Sequence, residues 1–585
     1  MANAFVDYLD SMNNSGGNTS AALAEAQVLS PFYEKIRIER GLGKYITEKI
    51  CDGNGHTIVL TGHAGDGKTS LLVQVLSGLG MLEKNTPLKE EWLYENGGIK
   101  LYAVKDMSEL PEEKQIEYFR KGMDYSMNGI SSVLISNTGP LLRCFQTIAG
   151  EDAVKNGGVF GEADISDLQN KVLEQLDRNG QDEIKIGSHS VMIINIARID
   201  NVDFAEKAMK KIIADELWQP CTECEMSESC PVYSNRNVVK NNFERISSFV
   251  TAYYRFLYES DKRMTVRQML SQISYAVTGN LKCGKMTGAV TDNEKFRYMF
   301  PNLFFGYNGL ERSEEAMQIR GIAYANELRL DSAASGDDYK MFVTGDFSSI
   351  PSEVRELIEE QHRIFTRRHM FTDDGKSRYS EKDALYRKAL RRFNIVMGQG
   401  DKKRLFDELF GKGFSDYVHL LDGGSSVKVK KTIQKAIVDA LYTEATGTAA
   451  KNADAIPLTV RRSDNVFQQV LIINGKIKKD DIQVVTVPVG NTFEESISRC
   501  DIYLRICDKK NYRLSLPLLI YFQQIADGSI STSANPSLTH GISNLKAILL
   551  EYGRDNSGTF RVMLNRTGEP QYIDMETDEN KLYFN

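Results

Sequence analysis

No run of apolar residues in this sequence approaches the length needed to cross a membrane. The opening residues Met1 to Asp7 also lack the basic stretch followed by an apolar one that marks a secretory leader. No membrane association is expected, and the expected location is the cytoplasm. Cysteine is scarce: eight in 585 residues cannot staple a disulfide scaffold, and three of them are clustered, which in a reducing compartment points to metal. Positive charge is not in excess either. A formal net charge of -7 argues against a globally basic nucleic-acid binder while leaving room for a local basic face. Internal repeats, a nucleophile triad and a paired-carboxylate nuclease signature are missing as well. What remains is an ordinary globular composition, 41% hydrophobic and 26% charged, in a chain too long for one core.

One stretch declares a chemistry. Gly62-His63-Ala64-Gly65-Asp66-Gly67-Lys68-Thr69 comes after the apolar run Thr57 to Leu60 and opens onto Ser70-Leu71-Leu72-Val73-Gln74-Val75-Leu76. Strand, glycine-rich turn and helix are the context in which such a motif holds phosphate. The glycines let the backbone curl with its N–H groups turned inward, and the first helical turn adds unpaired N–H groups and the positive end of the dipole. ATP is therefore expected on Gly62, Gly65, Asp66, Gly67, Lys68, Thr69 and Ser70. Lys68 should reach the β- and γ-phosphates, and the Thr69 hydroxyl should sit on Mg²⁺.

The flanking segments predict the fold. Ile99 to Val104, Ser131 to Gly139 and Ser190 to Asn195 read as further strands, and their continuous apolar runs alternate with helices. That pattern implies an α/β protein with a parallel sheet covered on both faces. Ligands on such sheets bind beyond the C-terminal strand ends, so Asn137 and Asn195 are expected near the loop. An amide there can hold a water or sense a γ-phosphate, but it cannot act as a general base at neutral pH. Asp106, after the second strand, is the nearest carboxylate in sequence; it reads equally as a surface turn. Upstream, Ala21 to Ile50 reads as helical with a break near Gly41 and Gly43. Tyr33 or Ile36 could flank an adenine from there, or simply pack onto the sheet.

Downstream, Cys221 and Cys224, two residues apart, and Cys230 soon after could grip a structural Zn²⁺ as thiolates, with Cys283 as a candidate fourth ligand. The competing reading is free thiols in an acidic turn. Thr265 and Gln268 have capping-box spacing and Gly279 is a fitting stop, which predicts a helix between them. Arg267 then falls in the first turn, where a cation opposes the dipole. Either an anionic partner such as a γ-phosphate or an ordinary surface ion pair would account for it.

Several of these stretches occur together in one known family. Gly65-Asp66-Gly67-Lys68-Thr69, Ile135-Ser136-Asn137-Thr138-Gly139-Pro140-Leu141-Leu142, Ile194-Asn195-Ile196-Ala197-Arg198, the cysteines with Pro231 and Asn235, and Thr265-Val266-Arg267 come in that order. Over about residues 50–305 the chain resembles the AAA-like P-loop ATPases of bacterial DNA-restriction and phage-defence islands. The nearest resemblance is to the DptF family of DNA phosphorothioation-dependent restriction, with BREX-type ATPases more distant. The resemblance implies a parallel-sheet core with a helical lid and a Cys-rich knuckle. It further implies that Asn137 stands at the Walker B strand end, Asn195 as a sensor and Arg267 as a second sensor, with Lys68 completing the catalytic set. Arg198 would be either a finger into a neighbouring subunit or a structural ion pair. Such proteins are implied to be oligomeric and to work with helicase- or nuclease-like subunits on DNA, directly or through those partners. The residues Gly62-His63-Ala64 and Thr69-Ser70 depart from the family pattern and leave phosphate binding intact.

The remaining chain is less explicit. The aromatic run Tyr298 to Gly306 should plug a core. Between Gln361 and Arg404, Arg363, Arg367, Arg368, Arg378, Arg387, Lys388, Arg391, Arg392, Lys402, Lys403 and Arg404 could neutralise DNA phosphates, or share a solvated face with the interspersed acids. Ser425 to Tyr442 reads as a basic amphipathic helix, 447–455 as a linker, and the residues beyond it as α+β. The expected organisation is an N-terminal helical segment (1–50), the ATPase core (51–215), the cysteine knuckle and helical lid (216–290), a mostly helical, locally basic region (291–450), and a C-terminal α+β module (451–585). The function these readings imply is an ATPase regulatory or motor subunit of a DNA-restriction defence complex. The alternative is a nucleotide-sensing scaffold that binds ATP to assemble but hydrolyses it poorly.

Overall fold

The computed structural model describes all residues except Met1, 14–29, 83–87, 108–109, 178–181, 284–290, 333–335, 370–380, Lys451, 461–469, 490–498, 530–535, 555–558, 565–570, 579–580 and Asn585. The chain gathers into two compact units. One comprises 1–255 and 263–400, the other 256–262 and, in the main, 401–585. Among the described residues no helix is long and apolar enough to cross a membrane.

The first unit is built on a six-stranded sheet in the order β2-β3-β4-β1-β6-β5. These strands are β1 (Thr57–Thr61), β2 (Glu91–Asn96), β3 (Ile99–Val104), β4 (Ser131–Ile135), β5 (Glu183–Ile186) and β6 (His189–Asn195). The inner four run parallel, whereas β2 and β5 pair antiparallel at the two edges. Side chains alternate cleanly between two cores. Ile58, Leu60, Leu101, Ala103, Val133, Ile135, Met192 and Ile194 enter one. Val59, Tyr102, Val104, Leu134, Val191 and Ile193 enter the other. A strand covered on both faces needs apolar residues at every position, which is why the inner strands read as unbroken runs.

Helices cover both faces. α1 (Ala4–Ser11), α2 (Tyr33–Ile36) and α3 (Gly41–Cys51) precede β1, and α4 (Lys68–Gly78) comes after it; α3 and α4 share the first core. On the other face lie α5 (Glu112–Met127), α6 (Thr138–Lys155) and α7 (Glu162–Asp177). The break expected at Gly41 and Gly43 lies earlier, at 37–40, and both glycines are helical. Gly43 serves contact instead: a Cβ there would come within 2.5 Å of the Gln74 side chain. Gln74 in turn bonds both the N–H and the carbonyl of Arg40, at 3.0 and 2.9 Å, so α4 holds the chain just ahead of α3.

The helices α8 (Asp203–Ile212), α9 (Asp215–Thr222), α10 (Pro231–Asn241), α11 (Phe243–Glu259) and α12 (Val266–Thr278) come next. The aromatic run does plug a core: Phe300, Leu303, Phe304 and Phe305 are all buried. Asn235 is buried there too, donating to the carbonyls of Ala276 and Val277 and accepting from the Phe300 N–H at 2.6 Å.

The basic stretch needs correcting at two positions. Arg391 and Arg392 are 2% and 1% exposed. They pair with Asp338 at 2.6 Å and Asp331 at 3.0 Å, and Arg392 also donates to Asn302 and to the Gly309 carbonyl. They are core ion pairs, because burying a guanidinium demands a partner for its charge, and they offer no phosphate contact. Arg378 and the side chains of Arg367 and Arg368 lie outside the described residues.

The second unit holds a five-stranded antiparallel sheet and a three-stranded one, together with helices, as the α+β reading expects. The break between units, near Gly400, falls inside the span 291–450 that the sequence presents as one region. The reason is packing: Ile433, Ile437, Val438 and Leu441 on the helix Val427–Thr446 are buried, and that helix lies against the strands Ala455–Val460 and Ile482–Pro488.

Candidate functional site

The site is built where β1 gives way to α4. Gly62, Gly65 and Gly67 have φ of 145°, 90° and 87°, a region that L side chains rarely adopt. Gly65 is additionally crowded. A Cβ there would lie 3.1 Å from both Arg267 Cβ and Thr265 Oγ1, so the start of α12 rests on the loop. Gly67 is the left-handed residue from which α4 starts, and it offers no side-chain cap to the first-turn N–H groups.

Inside the loop, the Asp66 carboxylate is fully buried and faces away from solvent. It accepts from the His63 N–H at 3.0 Å and from Arg263 at 2.7 Å. Lys68 is folded onto its own loop, donating to the carbonyls of Gly62 at 2.8 Å and His63 at 3.1 Å, and to Asn137 Oδ1 at 3.4 Å. Burial pushes the Lys68 ammonium below its ordinary pKa; Asp106 and Asp66 oppose that, and Arg267 adds to it.

A cavity of about 290 Å³ opens over this loop. Gly65, Asp66, Gly67, Lys68, Thr69 and Ser70 line it, as do Asp106 and Arg267. Its apolar lining includes Tyr8, Met12, Tyr33, Ile36, Phe204 and Leu270. Tyr33 and Ile36 thus reach the cavity. The contribution of α1 has no signal in the sequence, because Tyr8 arrives from more than fifty residues upstream of the loop. The Tyr8 hydroxyl is buried with no hydrogen-bond partner among the described residues, and burial raises its pKa, with Tyr33 adding to the shift.

The helix predicted over Arg267 forms as expected. Thr265 and Gln268 make a complete capping box, and Gly279 closes α12 in the left-handed conformation with φ of 60°. The Arg267 N–H donates to the Gly65 carbonyl at 3.2 Å. Its guanidinium is half-buried, lines the cavity, and has neither a carboxylate nor a hydrogen-bond partner among the described residues. Burial lowers its pKa, so charge is held there against a penalty.

The three strand ends differ. Asn137 occupies the N-cap position of α6 without capping it; its oxygen turns to Lys68 instead. Asn195 lies beside Thr61 in the β1–β6 register, yet it donates to the Leu176 carbonyl at 2.8 Å and accepts from the Ala197 N–H at 3.1 Å. Neither asparagine is among the residues that line the cavity. Asp106 does line it, and it favours the charged form of Lys68. Arg198 pairs with Asp177.

The cysteines gather elsewhere in the same unit. The Asn3 side chain donates to Cys221 Sγ at 3.3 Å, its N–H to Cys283 Sγ at 3.2 Å, and the Tyr233 N–H to Cys230 Sγ at 3.5 Å. Cys221 feels the charges of Cys224, Cys230 and Cys283, and Cys230 those of Cys224 and Cys283, while burial is the main cause that raises the thiols of Cys221 and Cys230. Among the described residues, however, no three ligating side chains are placed to hold a metal ion.

No protein-family model, curated protein or solved structure matches this chain.

Proposed function

We propose that the cavity binds a nucleoside triphosphate, ATP with Mg²⁺, and that the chain is an ATPase subunit of a bacterial DNA-restriction defence complex. The observation that carries the nucleotide reading is the pairing of Lys68 with Arg267, whose guanidinium lacks a partner among the described residues, over a glycine loop at a helix N-terminus. Two cations, turned-in backbone and a dipole make a polyphosphate the fitting counterion. The apolar lining with Tyr8 and Tyr33 suits a base, and the volume lies near the lower end of small-molecule sites, roughly 300–1,000 Å³.

For the metal, the Thr69 hydroxyl is a hard oxygen ligand on the same cavity, so it fits Mg²⁺, which would supply charge neutralisation to the phosphates. The role of Asn137 in this reading is to hold the Lys68 ammonium where the phosphates arrive. Orienting and deprotonating the attacking water falls to a carboxylate. Asp66 is buried against Arg263, and Asp106 is the other carboxylate that lines the cavity. That supports turnover over the scaffold alternative. The alternative rests on the amides, Asn137 and Asn195, at the ends of the two strands flanking β1.

The restriction role, the helicase- or nuclease-like partner subunits, the oligomer and any contact with DNA are supported by the family resemblance alone. Steady-state ATP hydrolysis, with and without DNA and co-purified partners, tests them together. Activity abolished by Lys68→Ala and raised by DNA supports the proposal, and ATP binding with negligible turnover under every condition leaves the scaffold. Structural Zn²⁺ on Cys221, Cys224, Cys230 and Cys283 belongs to the same proposal: the donors suit zinc, though the thiols would have to draw together. About one equivalent of zinc in the purified chain supports it, and well under one removes it.

A further inference from the structure

We infer that Arg263, which does not line the cavity, is the positioning residue that delivers Arg267 to it, by latching the start of α12 to Asp66 of the glycine loop. This rests on the reading of the cavity as a triphosphate site.

The acid at position 66 has no task in holding phosphate, since its charge has the wrong sign and its carboxylate points into the protein. It is fully buried, and a buried carboxylate demands a partner. Arg263 supplies one at 2.7 Å and extends its other arm to the Ile196 carbonyl at 3.3 Å, just past β6. The next residues are stitched down in turn. The Met264 carbonyl accepts from Asn201 at 2.9 Å, Thr265 Oγ1 crowds Gly65, and the Arg267 N–H donates to the Gly65 carbonyl. The Arg267 guanidinium has no partner of its own among the described residues. Its place over the cavity is therefore set by the backbone from Arg263 to Thr265.

Removing Arg263 has two consequences. The start of α12 loses its charged tie, so Arg267 is no longer held over the loop. In addition, Asp66 is left buried and unneutralised beside the phosphate site. Arg263→Ala should then copy Arg267→Ala in what the cavity distinguishes, although Arg263 touches no ligand.

The test compares Mg-ATP with Mg-ADP affinity of the full chain by calorimetry, with melting temperature as the control. If Arg267 meets the terminal phosphate, the wild type should prefer ATP by about tenfold or more, the worth of one charge-assisted hydrogen bond. Arg267→Ala should lose that preference, and so should Arg263→Ala. The double variant R263A/R267A should lose little more than either alone, because both act through one contact. Arg263→Lys should restore part of the preference. Where Arg263→Ala does not fold, the decision passes to D66N/R263Q, a neutral pair of similar size that leaves no buried charge. Loss of the preference at an unchanged melting temperature supports the latch. Retention of the wild-type preference in R263A or D66N/R263Q, or full additivity in the double variant, overturns it. A wild type that binds neither nucleotide removes the triphosphate reading and the latch with it, whereas binding whose preference survives loss of Arg263 removes the latch alone.

Discussion

The two flanks of β1 begin alike and end differently. On one side β4 runs parallel to it and leads to Asn137; on the other β6 runs parallel to it and ends in Asn195. The residue type is the same and the topological position is comparable. Yet Asn137 leaves its helix uncapped and turns its oxygen to Lys68, while Asn195 uses both ends of its amide on the Leu176 carbonyl and the Ala197 N–H. The cause is the element that each strand leads into. After β4 the chain enters α6, and the asparagine side chain is left facing the loop. After β6 the chain bends into a short 3-10 turn that needs a cap, and the end of α7 offers a carbonyl within reach. An amide goes to whichever unpaired backbone groups surround it, since a half-buried donor left unmade is expensive. One asparagine thus faces the loop lysine, and the other is spent on backbone groups.

The sharpest way to extend this contrast is at the third strand end. Asp106→Asn keeps size and hydrogen bonding but removes the carboxylate, so ATP turnover should fall by about 100-fold or more, in the range of lost general-base catalysis, while the melting temperature holds. Asn137→Ala should come next, lowering turnover by about tenfold through a less well-held Lys68 at near-constant stability. Asn195→Ala should do the reverse. It should cost about 1–3 kcal/mol of stability by stranding the Leu176 carbonyl and the Ala197 N–H, read by chemical denaturation, and leave turnover per folded molecule unchanged. If Asn195→Ala silences hydrolysis without destabilising the fold, the two flanks share one role and the contrast breaks.

The smallest effect serves as a control away from both flanks. Burial pushes the Asp10 carboxyl on α1 up to about 6, against an ordinary value of 3.8, although the Thr278 hydroxyl bond opposes the shift. The folded chain then holds that proton more tightly than the unfolded one, so this contribution to stability falls as pH rises from about 4 to about 6 and is flat above. Asp10→Asn should raise the melting temperature at pH 7.5 relative to wild type, with the gain shrinking toward pH 4. A gain that grows on acidification would contradict the direction of the shift.

Whether a feature can be read from the sequence depends on whether its cause is local. The strand-loop-helix around Lys68, the four inner strands and the capping box at Thr265 with its stop at Gly279 all obey short-range rules, and the structure carries each of them. The edge strands β2 and β5 carry no unbroken apolar run because they are half-exposed; their cause is nevertheless local, a two-residue hairpin turn at Gly97-Gly98 or Gly187-Ser188 to the strand that comes next. Asp106 is ambiguous in sequence since β3 lies two places from β1, and only the sheet order brings its end to the cavity. Arg391 and Arg392 resemble a basic face because their partners, Asp338 and Asp331, are more than fifty residues away. Tyr8 and Arg263 stay hidden for the same reason: their roles exist only once distant segments meet.

The chemistry assigned to this chain turns on the cavity over Lys68, and calorimetric titration of Mg-ATP into the full chain tests it most directly. The prediction is saturable binding by the wild type at about one site per chain, weakened at least about 100-fold in Lys68→Ala, whose ammonium makes the charge-assisted phosphate contacts, at a closely similar melting temperature. No heat of binding to the wild type, or equal affinity in the Lys68→Ala variant, would contradict it.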